Sequence, residues 1–432
     1  MQIKGYEFDS CVLAKGYIST IVCCFVGFSV TFLNSYNIFA SLLLLSYVFF
    51  LSPNIRNKIR LKASEKVLVG IMLLFVTVFL MEFLLFDADP RILDKPAKVL
   101  LLIPLVFLLN AIRPGQRSLI FAFLVSSGAL LCFALYERYV FGISRVGQLI
   151  NPIQFSAISI AIASAAIALS ATISHQTRKR KLLLCGGLLL SSGGLVAGVM
   201  SQSRGSIICI PVVFIILAIL FFHKETSKRV KLLALGITIM LFASALFLYG
   251  GSTIERFETA YKEVGLFQSG QKTATSSGIR LGLWGVSVEA GLQSPIIGVG
   301  LEQYVDYKND QVNNGRYGQE LLRYDNAHNT YVNAFARRGL VGLAAVILFL
   351  GFPICLGLRA WRKQPNIVAP YAAALTAFGC VFFISNFTQE VIFLNTGIIM
   401  YTGLLIILTS LLNDRINAVE EVGCNSSGYT TR

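Results

Sequence analysis

Two arginines lie at positions that suit anion binding, one in a turn between long apolar runs and one at the start of a predicted helix. Arg204 stands in Ser-Gln-Ser-Arg-Gly-Ser at 201–206, a very short turn between two apolar runs, where a cation is usually paired or functional. Arg280 follows Ser-Ser-Gly-Ile at the start of a predicted helix, where it opposes the helix dipole and gains nothing for helix stability. Backbone N–H groups at a helix N-terminus and a guanidinium group together match phosphate oxygens. We therefore predict that both arginines bind an anion.

Each arginine also has a structural alternative. In the alternative for Arg204, its side chain extends along the apolar surface and its guanidinium group binds a lipid phosphate. Arg280 would be solvated, or paired with Glu289 or Glu302. These alternatives stay open at the level of sequence.

A histidine supplies a group that can move a proton. His328 lies in Asp-Asn-Ala-His-Asn-Thr-Tyr at 325–331, where Asn326 is predicted to cap the helix that follows. A helix N-terminus disfavours the imidazolium form, so the neutral, proton-accepting form suits a general base. The alternative is a histidine that only bonds loop carbonyls. Arg145, in the loop that ends at Asn151-Pro152, is a weaker candidate for the anion site.

Other chemistry has little support in the sequence. Zinc-ligand spacing, a G-x-S-x-G elbow, a phosphate-loop glycine pattern and a dinucleotide fingerprint do not occur in a suitable context. The acids between 302 and 325 lack the order of an EF-hand. We therefore predict a site without a metal or a cofactor.

The composition predicts that these residues are held by a bundle of membrane helices. Hydrophobic residues make up 55% of the 432-residue chain and charged residues 14%, with a mean hydropathy of +0.69. A soluble chain carries roughly a quarter of its residues as charged side chains, so this chain cannot cover a globule with a polar surface. About twelve apolar runs are long enough for transmembrane helices. The predicted spans lie near residues 17–33, 37–51, 67–86, 99–112, 118–137, 153–173, 182–200, 207–222, 231–249, 339–358, 368–386 and 393–412.

Basic residues predict the orientation of the spans. Lys and Arg clusters follow the even-numbered spans, for example Arg178 to Lys181 after the sixth, so these loops are expected in the cytoplasm. The net charge of +15 has the same origin and does not indicate nucleic acid. The predicted domains are residues 1–249 with nine spans, an ordered outer loop at 250–338, three spans at 339–412 and an irregular cytoplasmic tail at 413–432.

The order of the motifs resembles the bacterial O-antigen ligase and O-antigen polymerase superfamily. The motifs are Ser-Gln-Ser-Arg-Gly-Ser at 201–206, Gly-Ile-Arg-Leu-Gly-Leu-Trp at 278–284, Ser-Pro-Ile-Ile-Gly-Val-Gly at 294–300 and Ala-His-Asn-Thr-Tyr at 327–331. The resemblance implies an all-α polytopic protein of the inner membrane, similar to C-type glycosyltransferases, with a periplasmic loop and a site that faces the periplasm. It also implies transfer of O-antigen from undecaprenyl diphosphate to the lipid A core, in lipopolysaccharide biosynthesis, without nucleotide or metal.

The resemblance also implies roles for individual residues. Arg204 and Arg280 would bind the donor diphosphate, with Arg145 as a further ligand. His328 would deprotonate the acceptor hydroxyl or bind the same diphosphate. A single displacement would invert the anomeric centre. The expected partners are the lipid-linked O-antigen, the lipid A core and membrane lipids, and not nucleic acid.

Three other functions remain open at this level. An O-antigen polymerase would share the donor and use a lipid-linked glycan as acceptor. A twelve-span transporter or lipid flippase would carry ionisable groups at mid-membrane, whereas the predicted spans are nearly free of charge in their interiors. A membrane scaffold would tolerate the loss of Arg204, Arg280 and His328.

Overall fold

The chain is an all-α polytopic membrane protein. The computed structural model describes residues 10–32, 35–173, 178–223, 275–363 and 368–427, together with Gly236, Ile239, Ala243, Glu255, 258–259 and 261–265. Within these residues, regular secondary structure is entirely helical. Seven of the described helices are long and apolar enough to cross a membrane. Most of the predicted ninth span at 231–249, and most of 250–274, lie outside the described residues.

The helices follow one another with short connections. The first eight are α1 (Ser10–Phe28), α2 (Ser35–Leu45), α3 (Pro53–Arg56), α4 (Ala63–Leu85), α5 (Asp94–Ala111), α6 (Gln116–Tyr139), α7 (Pro152–Ser170) and α8 (Arg178–Met200). The others are α9 (Arg204–Ile207), α10 (Cys209–His223), α11 (Ser276–Gln293), α12 (Leu301–Asn313), α13 (Thr330–Lys363), α14 (Ala369–Ser385) and α15 (Asn395–Ser427). Single 3₁₀ turns occur at Ser46–Leu51, Pro90–Leu93, Gln319–Arg323 and Val391–Phe393.

The predicted spans coincide with helices along the chain, but not all of these helices are long enough to cross a membrane. Every predicted span other than the ninth overlaps a helix. In the described part of the chain, however, three apolar helices are shorter than a full span: Ser35–Leu51, Arg204–Leu220 and Ala369–Ser385. Helix α5 carries three charged residues in its first five positions, Asp94, Lys95 and Lys98, so its apolar length is also short. The count of twelve is therefore not established by the described helices.

Helix α7 lies at the centre of the bundle because its residues are small. It packs against α6, α8 and α14, and 94% of its apolar segment is buried. Its Ser156 hydroxyl donates to the carbonyl of Gly198 on α8 at 3.0 Å. A Cβ at Gly194 of α8 would lie 2.8 Å from the carbonyl of Ser159. Small residues thus let the two backbones approach, as is typical of helix contacts in membranes.

Polar side chains gather at the two ends of the bundle. At one end Lys62 Nζ donates to the carbonyl of Asn413 at 3.0 Å, and Arg113 pairs with Asp414 at 3.2 Å. We call this the basic end. These contacts hold the chain after Asn413 against the bundle, and α15 continues to Ser427. The prediction of an irregular tail from residue 413 was therefore wrong for residues 413–427.

At the other end, α11 and α12 form a small layer with its own core. The core consists of the buried residues Leu283, Val286, Val312 and Leu321. As predicted, α11 begins beside Ser276, and it ends shortly before Pro295 because proline does not continue a helix. Its N-cap is Thr275, whose side chain accepts from Gly278 N–H at 3.1 Å. The described part of the predicted loop domain is thus ordered and helical.

A kink at Gly339 joins this layer to the membrane bundle. Gly339 has φ 60° and ψ −156°, a conformation in which a side chain is strained. The segment 294–300, which contains a turn at 295–297, lies against the kink and bonds the backbone groups that the kink removes from the helix. The bonds are Val299 N–H to Ala336 O (3.0 Å), Gly300 N–H to Arg337 O (2.9 Å), Leu340 N–H to Pro295 O (2.7 Å) and Val341 N–H to Ile296 O (3.2 Å). The predicted start of the tenth span at residue 339 coincides with this kink.

Candidate functional site

Arg204 is held by a tight turn between α8 and α9. It is the first residue of α9 and is half-buried. The next residue, Gly205, lies directly against the connection between α14 and α15: a Cβ there would come within 1.8 Å of Thr388 Oγ1. Only glycine fits this contact without movement of Thr388. The glycine of the 201–206 motif thus brings Arg204 next to that connection.

Arg145 braces the same turn from the neighbouring loop. Its Nε donates to the carbonyl of Ser201 at 3.1 Å. In return, Gln202 Nε2 donates to the carbonyl of Ser144 at 3.3 Å. The structure therefore places Arg145 against the backbone of the Arg204 turn. Its expected role as a diphosphate ligand stays a prediction.

Arg280 lies close to Arg204. It is half-buried in the first turn of α11. Burial lowers the pKa of the Arg280 guanidinium, and repulsion by Arg204 lowers it further. Among the described residues Arg280 has no ion-pair partner, because Glu289 pairs instead with Arg316 at 2.9 Å and Glu302 is exposed. Glu263 acts on Arg280 only from beyond ion-pair distance, so two neighbouring cations, one of them without a carboxylate in direct contact, favour an anionic ligand.

His328 completes this group. Its backbone is left-handed, with φ 50°, and its N–H donates to Asn326 Oδ1 at 3.3 Å. Its ring packs edge-on against Tyr324, with ring centroids 5.2 Å apart. Burial lowers the pKa of His328, and repulsion by Arg280 lowers it further, so the imidazole is neutral near pH 7. Arg204, Arg280 and His328 thus lie together at the end of the bundle opposite the basic end. We call this group the cationic cluster.

The helix after His328 is capped by a residue other than the predicted one. Asn329, not Asn326, caps α13: its Oδ1 accepts from Tyr331 N–H at 3.0 Å and Val332 N–H at 3.2 Å. Asn326 instead forms a turn around His328, and this turn gives His328 its left-handed backbone. Burial and the charge of Arg280 lower the pKa of His328, in the direction that the sequence predicted from the helix N-terminus.

A buried lysine that no sequence pattern indicated lies near the cluster. Lys308 is fully buried on α12 and its ammonium group donates to the carbonyls of Leu321 at 3.2 Å and of Tyr324. Burial lowers the pKa of Lys308. Lys308 thereby holds the segment that carries Tyr324 against His328. No local pattern in the sequence distinguishes this lysine from an exposed one.

A polar cavity lies beside the cationic cluster, with the buried acid Glu390 in its lining and a second buried acid, Glu82, in the lining of a small neighbouring cavity. Glu82 pairs with Arg337 at 2.9 Å and with Arg338 at 2.6 Å, and the Arg338 guanidinium also lies 3.6 Å from the centre of the Phe79 ring. Both arginines therefore have protein partners, rather than only the lipid head groups that their position suggests. Glu390 is the second acid, and both acids line cavities at this end.

Glu390 stands on the connection between α14 and α15. It is 7% exposed, and its Oε1 has no hydrogen-bond partner among the described residues. Burial raises its pKa to about 7, although Arg337 and Arg338 oppose this shift. The sequence shows only a lone acid in a short connection between two apolar runs, so no spacing marked it as functional.

The described residues contain no group of three or more His, Cys, Asp or Glu side chains that could hold a metal ion. The candidate site therefore consists of the cationic cluster, the neighbouring cavity and the backbone that joins them.

Comparison with known proteins finds a family model that matches part of the chain. Residues 186–347 match the family model described as O-antigen ligase, Wzy_C. The chain carries an O-antigen ligase family domain. This finding confirms the resemblance seen in the motifs, and the matched range includes Arg204, Arg280 and His328. Arg145, Glu82 and Glu390 lie outside the matched range of the ligase family.

A relative of this chain is similar to it over a longer stretch than the family model. A protein of Haemophilus influenzae, described as uncharacterized, is 26% identical over 303 residues, which is 69% of this chain and 74% of that protein. The family domain therefore indicates an enzyme of the ligase and polymerase type with lipid and lipid-linked glycan substrates. The specific substrates need a separate argument.

Proposed function

We propose that this protein is an O-antigen ligase of the bacterial inner membrane. It transfers O-antigen polysaccharide from undecaprenyl diphosphate to a hydroxyl of the lipid A core at the periplasmic face. The observation that carries this proposal is the cationic cluster: Arg204, Arg280 and His328 lie together, within the ligase-family domain, at the end opposite the basic end.

The two arginines are proposed to bind the donor diphosphate. The leaving group gains negative charge as its bond to the sugar breaks, and fixed guanidinium groups in a poorly solvated site stabilise that charge more in the transition state than in the ground state. Burial of Arg280 beside Arg204 supports this role, because an anion between them relieves their repulsion. Arg145 is proposed to contribute to the same anion site through its bond to the Arg204 turn.

His328 is proposed to act next to Arg280, either on the diphosphate or on the acceptor hydroxyl. Its neutral ring can donate from one nitrogen and accept at the other. Transfer is proposed to occur in one displacement, with inversion at the anomeric carbon and without a metal. A covalent glycosyl-enzyme, or retention of the anomeric configuration, would contradict this mechanism.

The decisive experiment is transfer in vitro by the purified protein, with chelator present and nucleotide absent. Undecaprenyl-diphosphate glycan is supplied with either lipid A core or a second lipid-linked glycan as acceptor. Core extension supports the ligase, whereas glycan extension alone identifies a polymerase. If glycan crosses vesicle membranes and no glycosidic bond forms, the protein is a transporter.

Substitution of the arginines tests the site itself. Arg204→Ala and Arg280→Ala are each expected to slow transfer by about 100- to 1,000-fold, which is the effect of removing one donor from an oxyanion site. Arg316→Ala is the matched control, because Arg316 is exposed and pairs with Glu289 on the outer side of α11. Normal transfer by both site variants, at normal abundance, would show that the cluster is not the active site.

A further inference from the structure

A cavity of about 350 Å³ adjoins the cationic cluster but is lined by other residues. Asn326, whose side chain bonds the His328 backbone, stands on its border. The cavity lies between the connection from α4 to α5, the first turns of α13 and the connection from α14 to α15. Its polar lining includes Arg91, Lys95, Asp325, Asn326, Asn333 and Glu390. Cavities of this size and polarity hold small polar molecules or one end of a larger one.

Two buried acceptor atoms in this lining have no partner within the described residues. They are Oε1 of Glu390 and Oδ1 of Asn333, on residues that are 7% and 2% exposed. A buried acceptor without a donor is costly, and native structures rarely contain one without a reason. Hydroxyl groups of a sugar are donors of the kind that these two atoms need.

Glu390 makes no direct ion pair with the neighbouring arginines. Arg337 and Arg338 both make their ion pairs with Glu82. Within the described residues, Glu390 has no cationic group within ion-pair distance. Its carboxylate is thus buried near positive charge without being neutralised by a direct contact.

The chain segment that carries Glu390 also contacts the segments that carry Arg204 and His328, where the donor diphosphate is proposed to bind. Two residues earlier, Thr388 packs against Gly205 on the Arg204 turn. Asn386 accepts from the Thr330 hydroxyl at 2.7 Å, next to the His328 segment, and its Oδ1 also accepts from Ile392 N–H at 3.3 Å. One short connection therefore joins the cavity to the two sides of the cationic cluster.

We propose that this cavity receives the acceptor sugar and that Glu390 accepts the proton of the attacking hydroxyl. This inference rests on the proposed function. The hydroxyl O–H bond breaks and its proton moves to the Glu390 carboxylate. The hydroxyl oxygen forms a bond to the anomeric carbon while the bond from that carbon to the diphosphate oxygen breaks, and the electron pair leaves with the diphosphate. His328 then serves the diphosphate beside Arg280.

The electrostatic surroundings of Glu390 fit this role. A general base works best when its pKa lies near the operating pH, and burial places the Glu390 pKa at about 7. The charged and titratable groups that surround the carboxylate or line the same cavity are Arg337, Arg338, Tyr304, Asp325, Asp89, Arg91 and Lys95. His328 meets this condition less well than Glu390, because the pKa of His328 is lowered below 6.5.

Sodium azide separates proton removal from donor chemistry, because azide is a nucleophile that has no proton to lose. The purified full-length protein is given undecaprenyl-diphosphate glycan and either lipid A core or azide, and the products are core-linked glycan or glycosyl azide. Glu390→Gln is expected to slow transfer to the core by about 100-fold or more, the usual contribution of a general base, and to form glycosyl azide at the wild-type rate. Glu289→Gln, a carboxylate outside the cavity that pairs with Arg316, is expected to match wild type in both reactions.

The outcomes separate this inference from the proposed function. If Glu390→Gln loses both reactions equally, or keeps both, Glu390 is not the base although the protein can still be a ligase. If wild type forms no glycosidic bond to the core, the proposed function itself fails.

If Glu390→Gln folds poorly, or if the wild-type protein does not use azide, the pH dependence of wild-type transfer tests the proposal instead. Wild-type transfer to the core is expected to fall as the pH drops through about 7, because the carboxylate becomes protonated. Glu390→Asp is expected to show the same fall in transfer rate at low pH, but centred at a different pH. A wild-type rate that is flat between pH 6 and pH 8 would overturn the inference.

Discussion

At the scale of single residues, the site contains cationic and anionic side chains away from solvent. Some of them form ion pairs within the protein and others do not. Arg337 and Arg338 share the single carboxylate of Glu82 in two ion pairs. Arg280 and Glu390, in contrast, have no ion-pair partner among the described residues, and each is buried near charge. Perturbed groups of this kind cluster at functional sites, because a protein keeps them only where a ligand completes them.

The pKa of His328 provides a test of whether the cluster exists in solution. The chain has three histidines, so selective ¹³C labelling of histidine gives three NMR signals, and the signal that disappears in His328→Gln is that of His328. Its pKa is expected below 6.5 in wild type and higher in Arg280→Ala, because the substitution removes the cation that disfavours the imidazolium. Arg316→Ala is expected to leave it unchanged. An unchanged pKa in Arg280→Ala would place the two side chains apart.

The buried Glu390 carboxylate is expected to reduce stability at high pH. The folded-state pKa of about 7 lies above the ordinary value of 4.5, so the folded protein binds the proton more tightly than the unfolded chain. The free energy of unfolding therefore falls as the pH rises from 4.5 to about 7, and stays low above that. Glu390→Gln, which is neutral at every pH, is expected to exceed wild type by on the order of 2 kcal/mol at pH 8.

Thermal unfolding of wild type and Glu390→Gln at several pH values measures this difference. The advantage of the variant is expected to shrink towards pH 5, where the wild-type carboxyl is itself protonated. A carboxylate that only stabilises the fold gives the opposite result, in which the variant is less stable than wild type at pH 8.

At the scale of elements, the kink in α13 explains why a motif with two glycines precedes the helix. The segment 294–300 replaces the hydrogen bonds that are lost around Gly339. It fits because Gly298 has φ 73° and lies so close to the helix that a Cβ would come within 2.3 Å of the Arg337 backbone. The motif is thus structural, and it fixes the helix turn that carries Arg337 and Arg338.

Substitution of the kink glycine tests this explanation. Gly339→Ala places a Cβ about 2.3 Å from the Ile296 backbone and strains a left-handed residue, so we expect a loss of stability of about 1–3 kcal/mol. Gly351→Ala, in the same helix with nothing within 4 Å of its Cβ, is expected to be neutral or stabilising. Thermal unfolding and membrane abundance of the two variants measure this difference in stability. Equal stability of the two variants would show that the segment 294–300 does not depend on a close contact at the kink.

The sequence predicted the elements better than the contacts between them. Local signals were sufficient for the start of α11 beside Ser276, because helix starts depend on a few neighbouring residues, whereas the kink at Gly339 was not predicted. They failed for the cap of α13, where Asn326 and Asn329 are equally good candidates until the turn around His328 is seen. Glu390 could not be predicted, because its burial depends on helices that are distant in the sequence.

At the scale of the whole molecule, the bundle has two chemically different ends. The basic end contains Lys62, Arg113 and Arg359, and a cavity of about 600 Å³ there is lined by Lys62, Arg359 and Lys363 among others. The other end contains the cationic cluster and the layer of α11 and α12. Because lysine and arginine are retained on the cytoplasmic side of membranes, we expect the cluster to face the periplasm.

Labelling of single introduced cysteines tests this orientation. Asn314→Cys lies just after α12 on the exposed side of the layer, and Arg359→Cys lies on α13 at the basic end. A membrane-impermeant maleimide, added to cells with a permeabilised outer membrane, is expected to label Asn314→Cys at once. It is expected to label Arg359→Cys only after the inner membrane is lysed. Labelling above that of the wild-type protein is the measure, because the native cysteines give the background.

The orientation decides which chemistry the cluster can perform. If Arg359→Cys is labelled in intact cells and Asn314→Cys is not, the cluster faces the cytoplasm. A nucleotide-linked sugar would then be a possible donor, and the lipid-linked glycan would not reach the site. If Asn314→Cys is labelled first, nucleotide donors are excluded by location, and a membrane-anchored diphosphate remains the anionic donor that two neighbouring arginines at that surface can bind.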